Sequence, residues 1–400
     1  MFAAGLSIIT ATVILVRTTD QATTLLEDKS TVFKFVPHTI ATGLRGGYQP
    51  LVTDMNRDHR PDIVALALGL SELVWYENPD WQKHVIYSPL TRMINVAAND
   101  IDNDGIPELA LAHGFSLSYK HSTGIISLLT HQGDPTASWS IREIDRTPTA
   151  HRLLWANVDG SGTNVLVNAP LFGSNSLAPE YRDRLSLFWY KPGIWKRQVI
   201  TDAEKGVVHG IHAAPWHDSS RDAILSASFL GIHAHEFSHG RWTRIAVVTG
   251  DSSPWPNSGA SEIQIGHLKR ERFLAAIEPW HGHQVVVYRR DCRRSIPGKW
   301  ARQVIDSSLK DAHALVTADL DGDGFDEIVV GERSGDQNIY LYQLDDKSHS
   351  RWSKHILDDT ELAAAGCAIS DLNANGKPDV VCIGSNTETL KWYDNQSRSF

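Results

Sequence analysis

The chain has 400 residues, 42% of them hydrophobic and 21% charged, with a formal net charge of −9 at pH 7. That balance belongs to a folded globular protein and excludes a mostly disordered chain. The acidic surplus argues against broad nucleic-acid binding through phosphate neutralisation, and no zinc-finger, Walker-loop or RNA-binding motif is present. Three cysteines, Cys292, Cys367 and Cys382, are too few for a disulfide framework, although one pair remains open. The 13 Trp and 19 His need an explanation.

The N-terminus is apolar from Met1 to Val16 and then meets Arg17. The run is short for a membrane span and suits a signal-peptide core, although no basic residue precedes it. Residues 1–22 are expected to form a signal peptide or N-terminal anchor, and residues 23–32 a linker. The product is then secreted or extracytoplasmic, with membrane contact only through an uncleaved N-terminal segment.

From residue 33 onward one segment recurs. Phe35-Val-Pro-His-Thr-Ile40 is followed by copies beginning at Trp81, Trp139, Trp195, Trp242, Trp300 and Trp352, spaced 46 to 58 residues apart. Each copy is an aromatic residue, a short mixed stretch and a β-branched or aliphatic end. That period marks a propeller or solenoid with about four short strands per unit. The sixth repeat shows them as His313–Ala318, Glu327–Gly331, Asn338–Tyr342 and Trp352–Leu357, labelled A to D. Gly, Asp, Asn and Pro punctuate the strands, and no long helical period appears. Seven copies predict an all-β, seven-bladed β-propeller over residues 33–400. Its N-terminal strand (about 34–40) should supply the outer strand of the last blade and close the ring.

Four A–B turns are acidic. They place oxygen ligands at Asp100, Asp102, Asp104 and Glu108; at Asp319, Asp321, Asp323 and Glu327; at Asp54, Asn56, Asp58 and Asp62; and at Asp371, Asn373, Asn375 and Asp379. Oxygens at positions 1, 3, 5 and 9 can wrap a hard cation, so structural Ca²⁺ is expected, more strongly for the first two loops. The same turns also stand as Asx-rich hairpins without metal. These loops, with Leu73-Val-Trp-Tyr-Glu-Asn-Pro79 and Leu390-Lys-Trp-Tyr-Asp394, resemble the VCBS and FG-GAP propeller repeats.

Aligning all seven repeats on the A–B turn, the residue six places before the first ligand position starts strand A beside the central channel. The series reads Tyr48, Ile94, His151, about His209, about Ala260, His313 and Ala365. The B–C connections on the same face add His113, His233, His235, Glu278, His281 and His283. Imidazoles gathered at a channel mouth offer general bases near neutral pH and ligands for a transition metal. Long loops at about 114–123, 170–184 and 248–259 surround that mouth and carry Tyr119, Tyr181, Arg182 and Trp255.

Ala150-His-Arg-Leu153, His209-Gly-Ile-His212, Gly259-Ala-Ser261, Glu278-Pro-Trp-His281 and the stretch from His313 to Gly324 resemble the propeller of the aldos-2-ulose dehydratase family. The resemblance implies a metal-containing propeller that eliminates water from keto sugars; propeller polysaccharide lyases are similar in architecture. On this reading His151 and His313 are the acid and base, and Arg152 holds a carbonyl or carboxylate oxygen. Tyr48, Tyr181, Arg182, Trp255 and Trp280 contact a sugar or glycan substrate. His209, Glu278, His281 and, on weaker grounds, His212 bind Zn²⁺ or another divalent ion. The alternative is a non-catalytic, Ca²⁺-stabilised propeller that binds glycans or proteins, with a purely structural adhesion module third.

Overall fold

The computed structural model describes residues 33–216, 220–290, 299–345 and 350–397. The expectations for residues 1–32 and for Cys292 lie outside these residues. The described chain folds into 28 strands, with a turn of 3-10 helix at Tyr119–His121. The strands make seven antiparallel four-stranded sheets, each in the order A-B-C-D. Every A strand packs against the A strands of the two neighbouring blades, and the last packs against the first, so the ring closes. Blade 6 comprises Ala312–Ala318, Glu327–Glu332, Ile339–Leu344 and Trp352–Asp358, within two residues of the sequence reading. Phe35–Ala41 pairs antiparallel with Leu390–Asn395 and completes blade 7, as expected.

The B strands explain why alternation is weak in this sequence. Asp62–Ala67, Glu327–Glu332 and Asp379–Gly384 are buried along their whole length, because neighbouring blades cover both faces. Such strands read as continuous apolar runs. Each large side chain fully buried there, such as Ile63 or Leu66, contributes roughly 1.5–3 kcal/mol. The outer-strand Trp residues pack across blade boundaries, with Trp81 on Trp392, Trp242 on Trp189, Trp300 on Trp216 and Trp352 on Phe273.

A polar latch also joins neighbouring blades. An aspartate at the end of one D strand accepts a hydrogen bond from a tyrosine hydroxyl on the next blade's C strand: Tyr190 to Asp145 (2.6 Å), Tyr342 to Asp306 (2.7 Å) and Tyr393 to Asp358 (2.7 Å). Between blades 3 and 4 the acid is Glu204, bonded by Ser228 and by Arg244 (2.8 Å), with His235 at 3.5 Å. In blade 5 the Tyr288 hydroxyl donates to Glu278, which also pairs with Arg302 (2.7 Å). His235 and His233 (3.8 Å) thus flank the Glu204 latch between blades, and Glu278 ties strands B, C and D of its own blade, whereas the sequence reading set all three at the mouth.

Cys367 and Cys382 are directly opposed on strands A and B of blade 7 and form a disulfide.

Candidate functional site

Five A strands begin with a β-bulge at one equivalent position. Pairing with strand B skips Tyr48, His151, His209, His313 and Ala365 in turn. A bulge leaves its extra residue unpaired and re-aims the side chain. All five are buried, and they are the ring-level series read from the repeat alignment. The equivalents in blades 2 and 5, Ile94 and Ala260, lie just before their strands and are buried too. In blade 3 the bulge also lets consecutive residues share a site, which strict alternation forbids. His151 Nε2 lies 2.7 Å from the Tyr48 hydroxyl, while Arg152 reaches the same hydroxyl at 3.3 Å and donates to Glu262 at 2.9 Å.

His209, His281 and His313 converge, with one ring nitrogen from each within 4.8 Å of the others. Their opposite ring nitrogens are anchored. His209 Nδ1 meets Glu262 at 2.6 Å, His281 Nδ1 meets Asp311 at 3.1 Å, and His313 Nδ1 donates to the Ala365 carbonyl at 2.6 Å. The Nε2 atoms of His209 and His281 stand 3.4 Å apart, and His313 Nε2 is buried without a hydrogen-bond partner among the described residues. Imidazoles whose Nδ1–H groups are held by carboxylates or a carbonyl have the tautomer that presents Nε2 to a metal. The donor set therefore fits a divalent transition ion. The ring of His151 lies 4.9 Å from that of His209, so the Tyr48–His151–Arg152 group adjoins the three imidazoles.

Burial, reinforced by the Arg152 charge and neighbouring imidazoles, holds His151, His209 and His313 well below the ordinary imidazole range, so all three are neutral. Burial pushes Glu262 up and the Arg152 guanidinium opposes it. Gly210 makes room for that carboxylate, since a Cβ there would lie 2.7 Å from its oxygen. His281 and Asp311 both sit in the left-handed backbone region, at φ 48° and 52°. Non-glycine residues held so cost of order 1–3 kcal/mol each and cluster at functional sites. The side chain of His281 is 23% exposed, against 2% for His209, so the cluster meets solvent on the His281 side. Arg333, paired with Asp311 and 3.0 Å from His281 Nδ1, flanks that opening.

The structure thus unites His151, His313, Arg152, Tyr48, His209 and His281. It also adds Glu262, Asp311 and Arg333, which the sequence reading missed. It replaces Glu278 and His212 in the imidazole group with His313. Glu278 is taken by Tyr288 and Arg302, and His212, three residues from His209, does not join the cluster. Trp280 packs on His281 at 4.7 Å. Tyr181 is buried between Phe172, Phe229 and Trp280 and presents little surface to a sugar. Arg182 and Trp255 lie farther out on the rim, with the Trp255 indole donating to the Glu180 carbonyl at 2.6 Å.

On the opposite face, Asp100, Asp102 and Glu108 converge, as do Asp319, Asp321 and Glu327. Asp319 accepts from the Asp323 and Gly324 amides, and burial with three neighbouring aspartates pushes the Glu327 carboxyl up to about 10. The loops at 54 and 371 differ. Both oxygens of Asp62 accept backbone amides (Met55 and Asn78), as do those of Asp379 (Leu372 and Asn395). These two acids clamp their turns and do not join a converging carboxylate group.

Residues 123–291 match the model of the aldos-2-ulose dehydratase β-propeller domain, and residues 319–382 match an FG-GAP-like repeat. This chain is similar to the aldos-2-ulose dehydratase propeller. A curated relative, aldos-2-ulose dehydratase of Phanerodontia chrysosporium, is 24% identical over 283 residues, which cover 63% of this chain and 31% of the relative. The chain thus spans about a third of that dehydratase. The dehydratase-propeller match includes His151, Arg152, His209, Glu262 and His281, while His313 lies beyond it.

Proposed function

We propose that this propeller is a carbohydrate-active carbon–oxygen lyase of the sugar-dehydratase kind, eliminating water or an alkoxide beside a carbonyl or carboxylate. The observation that carries the reading is the convergence of four imidazoles with Tyr48, Arg152 and Glu262 at one channel mouth. The distant likeness to a sugar dehydratase supports it. Elimination needs a base for a weakly acidic C–H, stabilisation of enolate charge, and a proton for the leaving oxygen. His151 and Tyr48 share a hydrogen bond and serve as the proton-transfer pair; burial pushes the Tyr48 phenol up, and the Arg152 guanidinium opposes that shift. His209, His281 and His313 would hold a divalent ion such as Zn²⁺, which supplies Lewis acidity toward a carbonyl oxygen. His313 thereby moves from the acid–base role to the ligand set. Glu262 and Asp311 orient two of those rings, and substrate enters beside His281.

Structural Ca²⁺ is proposed for the loops at 100 and 319. Secretion is proposed from the apolar N-terminus and the Cys367–Cys382 disulfide, a bond that persists in oxidising compartments.

The burial of His151, His209 and His313 favours a second reading, a structural metal core in a propeller that binds glycans without turnover. One experiment separates the two. The metal-supplied protein is incubated with keto sugars and uronate-containing glycans, and the ultraviolet absorbance of an unsaturated product is followed. Turnover that falls at least 100-fold in Tyr48→Phe and His151→Ala, with unchanged circular dichroism, supports the lyase. Binding without product across the panel favours the second reading.

A further inference from the structure

The rim beside the mouth carries a basic group that elimination chemistry does not use. Arg184, on strand C of blade 3 (Arg184–Tyr190), and Lys205, on strand D (Gln198–Lys205), are direct cross-strand partners. Like charges so opposed destabilise a sheet. Among the described residues neither has an acidic side-chain partner. The nearby carboxylates are otherwise engaged: Glu180 pairs with Arg182, Asp183 accepts the Asn175 and Arg184 amides, and Glu204 is buried in its latch. Repulsion kept unrelieved on a protein of net charge −9 points to an anion that is not part of the fold.

An aromatic platform adjoins these cations. Lys205 Nζ lies 5.6 Å and the Arg182 guanidinium 5.9 Å from the Trp255 ring centre. Trp255 is partly exposed and held against Gly206, where a Cβ would come within 2.7 Å of the indole. From Trp255 a line of ring contacts runs through Phe229 (5.1 Å) and Trp280 (5.7 Å) to His281 (4.7 Å). Lys205 and the Glu180-paired Arg182 lie over this ring, beside Arg184, and the ring leads to the imidazoles. A sugar carboxylate can take up the Lys205 and Arg184 charges while its pyranose packs against the indole.

We infer that Trp255, Arg182, Arg184 and Lys205 form a subsite for a carboxylated sugar, a uronate unit of a glycan whose neighbouring residue reaches His281. The inference rests on the reading of that mouth as a sugar site and narrows its substrate class from keto sugars or uronate-containing glycans to the acidic glycans alone.

The test is equilibrium binding by calorimetry, with trigalacturonate and its neutral counterpart galactotriose as probes, at low and raised salt. The acidic trisaccharide should bind at least tenfold more tightly, and the preference should shrink with salt. In the Arg184→Met/Lys205→Met double variant the preference should fall below about threefold, while Tm rises by roughly 1 °C as the repulsion is relieved. Trp255→Ala should weaken the binding of both probes. Equal affinity for the two probes, or a preference untouched by the double variant, overturns the subsite. Because binding is read without turnover, the two readings fail separately. Acid-selective binding with no elimination sinks the lyase alone, and turnover of neutral sugars with no acid preference sinks the subsite alone.

Discussion

Glu262 ties the two halves of the candidate site together. One of its oxygens faces His209 Nδ1 and also accepts from Arg152, so a single carboxylate orients an imidazole of the triad and the guanidinium beside Tyr48. Glu262→Gln keeps the shape but removes the charge. It should lower zinc affinity 10- to 100-fold, the usual effect of losing such a partner. Competition with a chromophoric chelator measures this, and unaltered affinity would assign Glu262 a packing role only. Glu262 was hard to read because it lies two residues beyond Ala260, the one apolar break in the His-rich half of the series. Strand alternation would turn Arg152 away from the side His151 faces. That rule fails at the bulge, and no residue in Ala150-His-Arg-Leu153 announces a bulge on its own.

At the scale of the strand, the repeats were legible because outer strands begin with aromatic residues and end in β-branched or aliphatic ones. Blade boundaries and ring closure followed from that pattern. The latches were not legible, since their donors and acceptors lie 35 to 45 residues apart (Asp145 and Tyr190, Asp306 and Tyr342, Asp358 and Tyr393) and vary in chemistry. His233 and His235, placed at the mouth by loop position, lie beside the Glu204 latch, which uses Ser228 and Arg244 in place of a tyrosine. Tyr342→Phe removes a bond to a charged acceptor that keeps Lys354 and Ser308 as partners. It should destabilise the protein by about 1.5–3 kcal/mol. Denaturant titration should show the midpoint falling with little change in slope; an unmoved midpoint would make the latch incidental.

For the whole molecule, buried neutral histidines set the response to acid. Burial holds His235 down at about 4, whereas an unfolded chain titrates near 6.5. The folded state therefore binds fewer protons than the unfolded state between those values. The resulting stability is fully present above about pH 6.5 and declines as the pH falls toward 4, by up to roughly 3 kcal/mol. Thermal unfolding between pH 7 and 4 should show this decline, and His235→Gln should make it shallower. An equal slope in the variant would place the acid sensitivity elsewhere.

Closure by Phe35–Ala41 against Leu390–Asn395 has a consequence for biogenesis. The first strand cannot find its mate until the last has left the ribosome. Six blades can assemble during synthesis while the seventh waits for its outer strand, so the closing contact is of the longest sequence separation in the fold and forms last.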